Sequence, residues 1–526
     1  MQEGISGKIA NFFINSKLTI LLMIGLMIIG SYSSMLIPRE EEPQINVPMA
    51  DIMVGYPGAN PAEVESRVIQ PLEVISNIKG VEHVHSMAMN GQAMLIVQFL
   101  VGQDVERSYV KLYDELAKHE NMFPQGVYKP MVKTRSIDDV PMLGLTLWSE
   151  KLNDFEIKQV AEEVTSEIEK VKDVAITKEI GGNNREVKVI LDKDKMAENG
   201  VDPLSIMQMI QANNGSSQSG SFVSNDKEYL LTTGEFLKTS EDIENIVVGV
   251  NANMPVYLKQ VATIKDGAST PKSYVSFGYG KTNEKFKANQ SEYPAVTISI
   301  GKVKGADAMK IAEKIIERVE HLKKTIITDD VHVEVTRNYG ETASDKVGEL
   351  LMHLGIAIIA VTVLVMLAMG WRGGLVVFFS VPLTFALTLF SYYLLGYTLN
   401  RITLFALVFV VGIVVDDSII IAENMHRHFK MKRLPFKQAA IYAINEVGNP
   451  TILATFTVIA AILPMAFVSG MMGPYMSPMP IGASIAMLLS LFVALTVTPY
   501  LGYHLLHEKE EQEHKEEAGL ETSWIY

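Results

Sequence analysis

Apolar residues in this chain gather toward its two ends and thin out between them. One apolar run begins at Leu18 and reaches about Pro38. Five more follow residue 347, at about 347–369, 374–395, 402–423, 448–468 and 478–504. Each is near the ~20 residues an α-helix needs to cross a bilayer. The stretch from 39 to 346 is mixed and charged, as a water-exposed part is. The pattern therefore predicts an α+β membrane protein. One transmembrane helix (with the N-terminus, 1–38) precedes a large polar region, and helices two to six follow it.

Within the polar region the periodicity switches between 2 and 3.6. Residues 45–56 read as a strand, Tyr56-Pro57-Gly58-Ala59 as a turn, and 61–78 as a helix. Two strands, 81–88 and 93–101, flank Asn90-Gly91, a hairpin signal. A helix over 104–121 and an extended stretch at 128–134 complete a βαββαβ order, the ferredoxin-like unit. This first subdomain is assigned to 39–137. A second one begins with a strand at 142–148 and a helix at 154–171. Strands at 174–180 and 186–191 follow, around Gly181-Gly182-Asn183-Asn184. Its remaining βαβ portion lies at 295–300, 306–322 and 331–335. The second subdomain thus occupies 138–192 and 291–340, and 193–290 is an insertion. The insertion opens with a helix near 203–212 and continues through the polar loop at 213–221, which reads equally well as a flexible linker.

Charge orients the chain. Lys8 and Lys17 precede the first run, which is long for a signal peptide and lacks a small-x-small cleavage site, so it reads as a retained helix with its N-terminus in the cytoplasm. Trp371-Arg372-Gly373-Gly374 reads as a tight turn. The loop after 423 carries Arg427, Lys430, Lys432, Arg433 and Lys437. Pro435 followed by 436–447 suggests a short amphipathic helix on the membrane surface. The loops near 396–401 and 469–476, on the other side, carry only Arg401. By the positive-inside rule 39–346 lies outside the cytoplasm. The charged tail, 505–526, is assigned as a cytoplasmic linker.

Composition narrows the chemistry. The chain has 526 residues, 48 % of them hydrophobic, and a mean hydropathy of +0.17. A net charge of −14 argues against nucleic-acid binding. The absence of cysteine excludes disulfides, thiolate zinc sites and cysteine nucleophiles. No nucleophile elbow, phosphate loop or zinc motif is present. No cofactor is expected, and an ATP-driven mechanism has no support, so the expected energy source is an ion gradient.

The candidate site lies within the fourth span. Asp416 and Asp417 are adjacent near the middle of an apolar stretch. A carboxylate there costs at least ~2.5–3.5 kcal/mol on insertion scales. Two neighbours also repel, so one must carry a proton or meet a cation. They diverge by about 100° around the helix, so they can face two different neighbours. Gly412 leaves room for close helix approach. Thr451, Thr455 and Thr457 either hydrogen-bond across the bundle or back-bond to their own helix. Pro382 and Pro464 are candidate kinks. His426 and His428, with Glu423 nearby, have poor spacing for a metal site. The 28 methionines invite a copper or silver reading, since thioethers are soft ligands, but they are scattered, apart from Met465, Met471, Met472, Met476 and Met479, which read as packing.

The stretch GIVVDDSIIIAEN (412–424) resembles the fourth transmembrane helix of the resistance-nodulation-division (RND) transporters, and Tyr56-Pro57-Gly58-Ala59 resembles a turn common early in their outer domain. The resemblance implies proton-driven efflux of hydrophobic or amphiphilic small molecules from the bacterial inner membrane, with Asp416 and Asp417 as the proton relay. It implies a periplasmic porter domain, with 193–290 as a docking-type subdomain reaching a neighbouring subunit in a trimer. A periplasmic adaptor and an outer-membrane channel are the implied partners. Two acidic residues, where the metal-exporting branch usually has one, favour hydrophobe export over heavy-metal efflux. A protein-translocation helper resembling SecD/SecF is the other alternative, but those have smaller outer domains without such an insertion. An RND transporter has two such halves, and the lysine partnering the aspartates comes from the second. This chain corresponds to the first. Its counterpart is either further sequence of a longer protein or another chain, including a second copy of itself.

Overall fold

The structure is a computed structural model that describes residues 4–43, 45–136, 139–286 and 292–506. The tail from His507 lies outside the described residues.

The first sheet is built from β1 (Met49–Gly55), β2 (Val81–Met89), β3 (Gln92–Phe99) and β4 (Met131–Arg135). Its order is β2-β3-β1-β4, with antiparallel neighbours. One face carries Ile52, Val54, Leu95, Val97 and Phe99 into a core with Val68, Leu72 and Leu112. Alternation along each strand sends the other residues to the opposite face. The helix expected over 61–78 is broken up. An α turn capped by Asn60 gives way to a π segment, Glu65–Ile69, and then to a 3-10 turn, Glu73–Asn77. Pro71, which lacks an N–H, interrupts the α pattern there.

The second sheet contains β5 (Leu143–Trp148) and β6 (Val174–Ile180). The next strand departs from the sequence reading. β7 (Arg185–Leu191) makes no hairpin with β6, and pairs instead with a strand of the inserted region. Gly181 and Gly182, at φ +93° and +69°, swing the chain out between the two sheets. Either Cβ would fall within 3.0 Å of a neighbour, so these positions need glycine for both backbone and space. The inserted region holds the hairpin of β8 (Ser217–Ser224) and β9 (Lys227–Thr233), almost wholly exposed. It also holds the pair β10 (Val247–Asn251) and β11 (Met254–Tyr257), and β12 (Ala262–Ala268), the partner of β7. The second sheet is completed by β13 (Ser276–Phe277), β14 (Tyr293–Lys302) and β15 (His332–Asn338), in the order β13-β14-β5-β15, with β6 also on β14. The helices Asp154–Ile168 and Ala308–Leu322 bury their apolar faces on one side of it.

Among the described residues five helices are long and apolar enough to cross a membrane. One of them, Tyr339–Leu395, spans 57 residues and is interrupted at Gly370, where φ is +81° and ψ 168°. A Cβ on Gly374 would sit 2.9 Å from the Cβ of Met366. Eight residues of straight helix would hold those positions about 12 Å apart, so the chain folds back at Gly370. The reversal is thus made by one residue, and Trp371-Arg372-Gly373-Gly374 is helical rather than a turn. The same rod begins directly after β15, capped by Asn338, whose side chain accepts from the Glu341 N–H. No linker separates the sheet from the membrane helix.

Two further differences concern the other face of the bundle. The stretch 436–447 is not a separate short helix but the first part of a continuous helix, Phe436–Ile462, with Pro450 inside it. The helix Ile5–Phe13, which precedes the first apolar run, packs on that helix. The Gly4 N–H donates to Asn445 Oδ1 at 2.8 Å. Gly448 admits Ser6 so closely that a Cβ there would clash. Pro464 marks the point where this helix tightens to a 3-10 turn, Leu463–Phe467. Pro382, by contrast, sits inside its helix without breaking it.

Packing in the bundle is tight where glycine meets an aromatic. A Cβ on Gly482 would lie 2.0 Å from the hydroxyl of Tyr392, a fully buried side chain. Gly482→Ala is expected to destabilise the bundle by about 1–3 kcal/mol through overpacking. Adding Tyr392→Phe removes the nearest clashing atom and should return part of that loss, since ring carbon Cζ stays 2.9 Å from the added Cβ, as read by thermal unfolding in detergent. No recovery in the double variant would refute this contact as the cause.

Candidate functional site

The aspartates sit on the helix Arg401–Met431. It starts at Asn400, whose side chain accepts from the Ile402 and Thr403 N–H groups, while Thr403 Oγ1 accepts from the Asn400 N–H. This capping box, worth about 1 kcal/mol, fixes where the helix begins. Asp416 and Asp417 follow four turns later, on a helix that packs against Tyr339–Leu395, Phe436–Ile462 and Pro478–Leu505.

The two carboxylates are not equivalent. Asp417 is 9 % exposed and points into the bundle. Thr455 Oγ1 donates to its Oδ1 at 3.3 Å. The same hydroxyl also lies 2.9 Å from the Thr451 carbonyl, so it can back-bond or donate to the carboxylate. Thr451 and Thr457 back-bond to their own helix, at 2.9 and 2.8 Å. One threonine of the three therefore reaches the site.

Asp416 is exposed. It falls on a stripe with Phe405, Phe409, Gly412, Ile420 and Glu423, all exposed and all at helical spacing. Gly412 has open space beside it, so among the described residues no helix uses the close approach that its small size permits. A carboxylate on an apolar helix face has no favourable place in lipid.

Beside the pair runs a line of hydroxyls that the sequence reading missed. Thr498 Oγ1 donates to Ser418 Oγ at 3.3 Å, and the Ser380 and Thr498 hydroxyls are 3.1 Å apart. Ser490 Oγ donates to the Val414 carbonyl at 2.6 Å. Ser380, Ser418, Ser490 and Thr498 are each at most 2 % exposed. Only Ser418, adjacent to Asp417, carried a signal in the sequence. The others come from distant segments, and their meeting depends on helix packing. Hydroxyls both donate and accept, so this line can pass hydrogen bonds between three helices.

At the helix end, Glu446 collects Asn424 Nδ2 at 3.2 Å, Arg427 at 3.1 Å and His428 Nε2 at 2.8 Å. His428 thus has a carboxylate partner. Among the described residues no group of three His, Cys, Asp or Glu side chains is placed to hold a metal.

A family model described as the AcrB/AcrD/AcrF family matches residues 9–524. The chain is 27 % identical over 520 residues to the multidrug resistance protein MdtC of Cronobacter sakazakii, covering 97 % of this chain and 49 % of that protein. It is likewise 27 % identical over 511 residues to MdtC of Pantoea ananatis, covering 95 % and 48 %. MdtC of Proteus mirabilis matches at 27 % over 495 residues, covering 93 % and 46 %. The chain spans about half the length of these curated relatives.

Proposed function

The chain belongs to the AcrB/AcrD/AcrF family, and from that premise we propose that it forms one half of a proton-driven exporter of hydrophobic or amphiphilic small molecules. The relatives' name, multidrug resistance protein, supports the substrate class. The observation that carries the mechanism is the split pair, with Asp417 inside the half-bundle and Asp416 on its open face.

In this reading Asp416 and Asp417 exchange the transported proton. Charged, the pair draws a cationic or hydrogen-bonding group of the second half against the Asp416 stripe. Protonated, it loses that attraction, and the Arg401–Met431 helix is free to shift against its neighbours. Thr455 and the serine-threonine line offer donors to the charged form and acceptors to the protonated form. The counterpart is the second half of the same transporter or another chain, since Asp416 otherwise faces lipid.

The membrane part is read as six crossings, counting the two arms of Tyr339–Leu395 separately. The region 39–346 is the periplasmic porter domain, with two βαβ-repeat subdomains and the 193–290 insertion as the docking part. Assembly is as a trimer, with a periplasmic adaptor and an outer-membrane channel, in the bacterial inner membrane.

Topology is testable without disturbing any native thiol. Asn90 and Asn214 are both exposed, and the chain has no cysteine. Cysteines placed at these positions should react with a membrane-impermeant thiol reagent once the outer membrane is permeabilised. Protection of both until the inner membrane is opened would overturn the assignment.

A further inference from the structure

The strands of the first sheet segregate sulfur to one side. All six methionines of β1–β4 lie on the face away from the helices, while the core face is built from Ala, Val, Ile, Leu and Phe. Four of them form one row. Met87 on β2 is the register partner of Met94 on β3, Met94 of Met53 on β1, and Met53 of Met131 on β4. Directly opposed residues in antiparallel strands hold their Cβ atoms about 4.5–5.5 Å apart, so neighbouring thioethers of this row can converge on one ion. Met53 and Met94 are half-buried at the centre, and Met87 and Met131 are exposed at the ends.

Two polar side chains lie beside the row. His85 precedes Met87 by two residues on the same strand and face, and its ring is exposed. Asp51 precedes Met53 by two residues and is 1 % exposed. Arg135 binds Asp51 Oδ2 at 2.6 Å through Nε, but Oδ1 is buried and without a partner among the described residues. Asp51 is already flanked by two cations, Arg135 and its register partner Lys133 on β4.

We propose that this face binds a soft monovalent cation of the Cu(I) or Ag(I) class. Met53 and Met94 are the central ligands, with Met87 as the third and His85, on the same strand as Met87, as a nitrogen donor. Thioethers select such ions over hard or borderline divalent ones. A face that served only to dock apolar surface would not need its methionines in one row beside a histidine. The site stands apart from the aspartate pair and does not depend on the transport reading.

The test uses the full chain in detergent, chloride-free, labelled with methyl-13C methionine and titrated with Ag+. Resonances assigned by single Met→Leu replacements to Met53, Met87 and Met94 should move with the first equivalent, ahead of the other methionines. The volume-conserving double variant Met53→Leu/Met94→Leu should bind that equivalent at least about tenfold more weakly, since even second-shell losses cost 10–100-fold at metal sites. Cu(I) loading should give an X-ray absorption spectrum with a sulfur-dominated first shell. Unchanged Ag+ affinity in the double variant, or first movement at Met465, Met471 and Met472 instead, would overturn the proposal.

Discussion

Asp417→Asn is expected to reduce export by the assembled transporter to background while leaving the chain inserted and at least as stable. The two effects have opposite signs for one reason. Asparagine has the shape of protonated aspartate and can still accept from the Thr455 hydroxyl, now 3.3 Å away, so packing is kept. It cannot take up or release a proton. It also removes a carboxylate that costs at least ~2.5–3.5 kcal/mol in an apolar helix on insertion scales, so the melting temperature should hold or rise. A residue with a merely structural role would lose activity and stability together. Asp416→Asn should also abolish export, because in the proposed reading its carboxylate meets the counterpart half across the open stripe. The measurement pairs substrate accumulation in cells lacking other exporters with thermal unfolding in detergent. Normal export by both single variants would remove the relay.

Lys302→Met is expected to be the most damaging change at the junction of sheet and membrane. Lys302 Nζ lies 2.5 Å from Glu40 Oε1, with the two side chains 12 % and 4 % exposed. Removing one partner of such a pair leaves a buried charge and costs about 3–5 kcal/mol. The position matters because residues 38–42 tie three elements together. The Glu40 N–H donates to the Leu399 carbonyl and the Leu399 N–H to Pro38, beside the start of the aspartate helix. Arg401, in that helix's first turn, pairs with Glu41 and Glu42. The Ala308 N–H donates to the Arg39 carbonyl, linking the strap to the helix that flanks the second sheet. Motion of the aspartate helix therefore has a bonded route to the sheets. Lys302→Met should lower the melting temperature by several degrees, and Lys302→Arg should not. Adding Glu40→Gln should restore most of the loss, because the buried charge is then gone. If the double variant melts as low as Lys302→Met, the ion pair is not what holds the junction.

The apolar runs and the two aspartates were readable in the sequence because both rest on local composition. Length and hydropathy are enough to mark a membrane helix, and a paired carboxylate within one stands out without any neighbour. Which aspartate points inward was not readable. That depends on the phase of Arg401–Met431 against the helices bearing Thr455 and Ser490, far away in the chain. The hydroxyls at Ser380, Ser490 and Thr498 were hidden for the same reason, being ordinary residues until packing brings them together. The reversal at Gly370 was misplaced by a few residues, because Trp371-Arg372-Gly373-Gly374 has turn composition while a single left-handed glycine suffices. The partner of β7 was misread because a Gly-Gly-Asn-Asn stretch suits a hairpin loop as well as a crossover between sheets. The methionine row needed the strand register, since alternation puts Met53 and Met94 on one face but not beside each other.

The most direct test of the account is proton flux through the assembled transporter in liposomes with an internal pH indicator. With an imposed pH gradient, the wild-type protein should move protons in a substrate-dependent way, and Asp416→Asn/Asp417→Asn should show none above protein-free vesicles. Substrate-dependent proton flux of wild-type size in the double variant would contradict it.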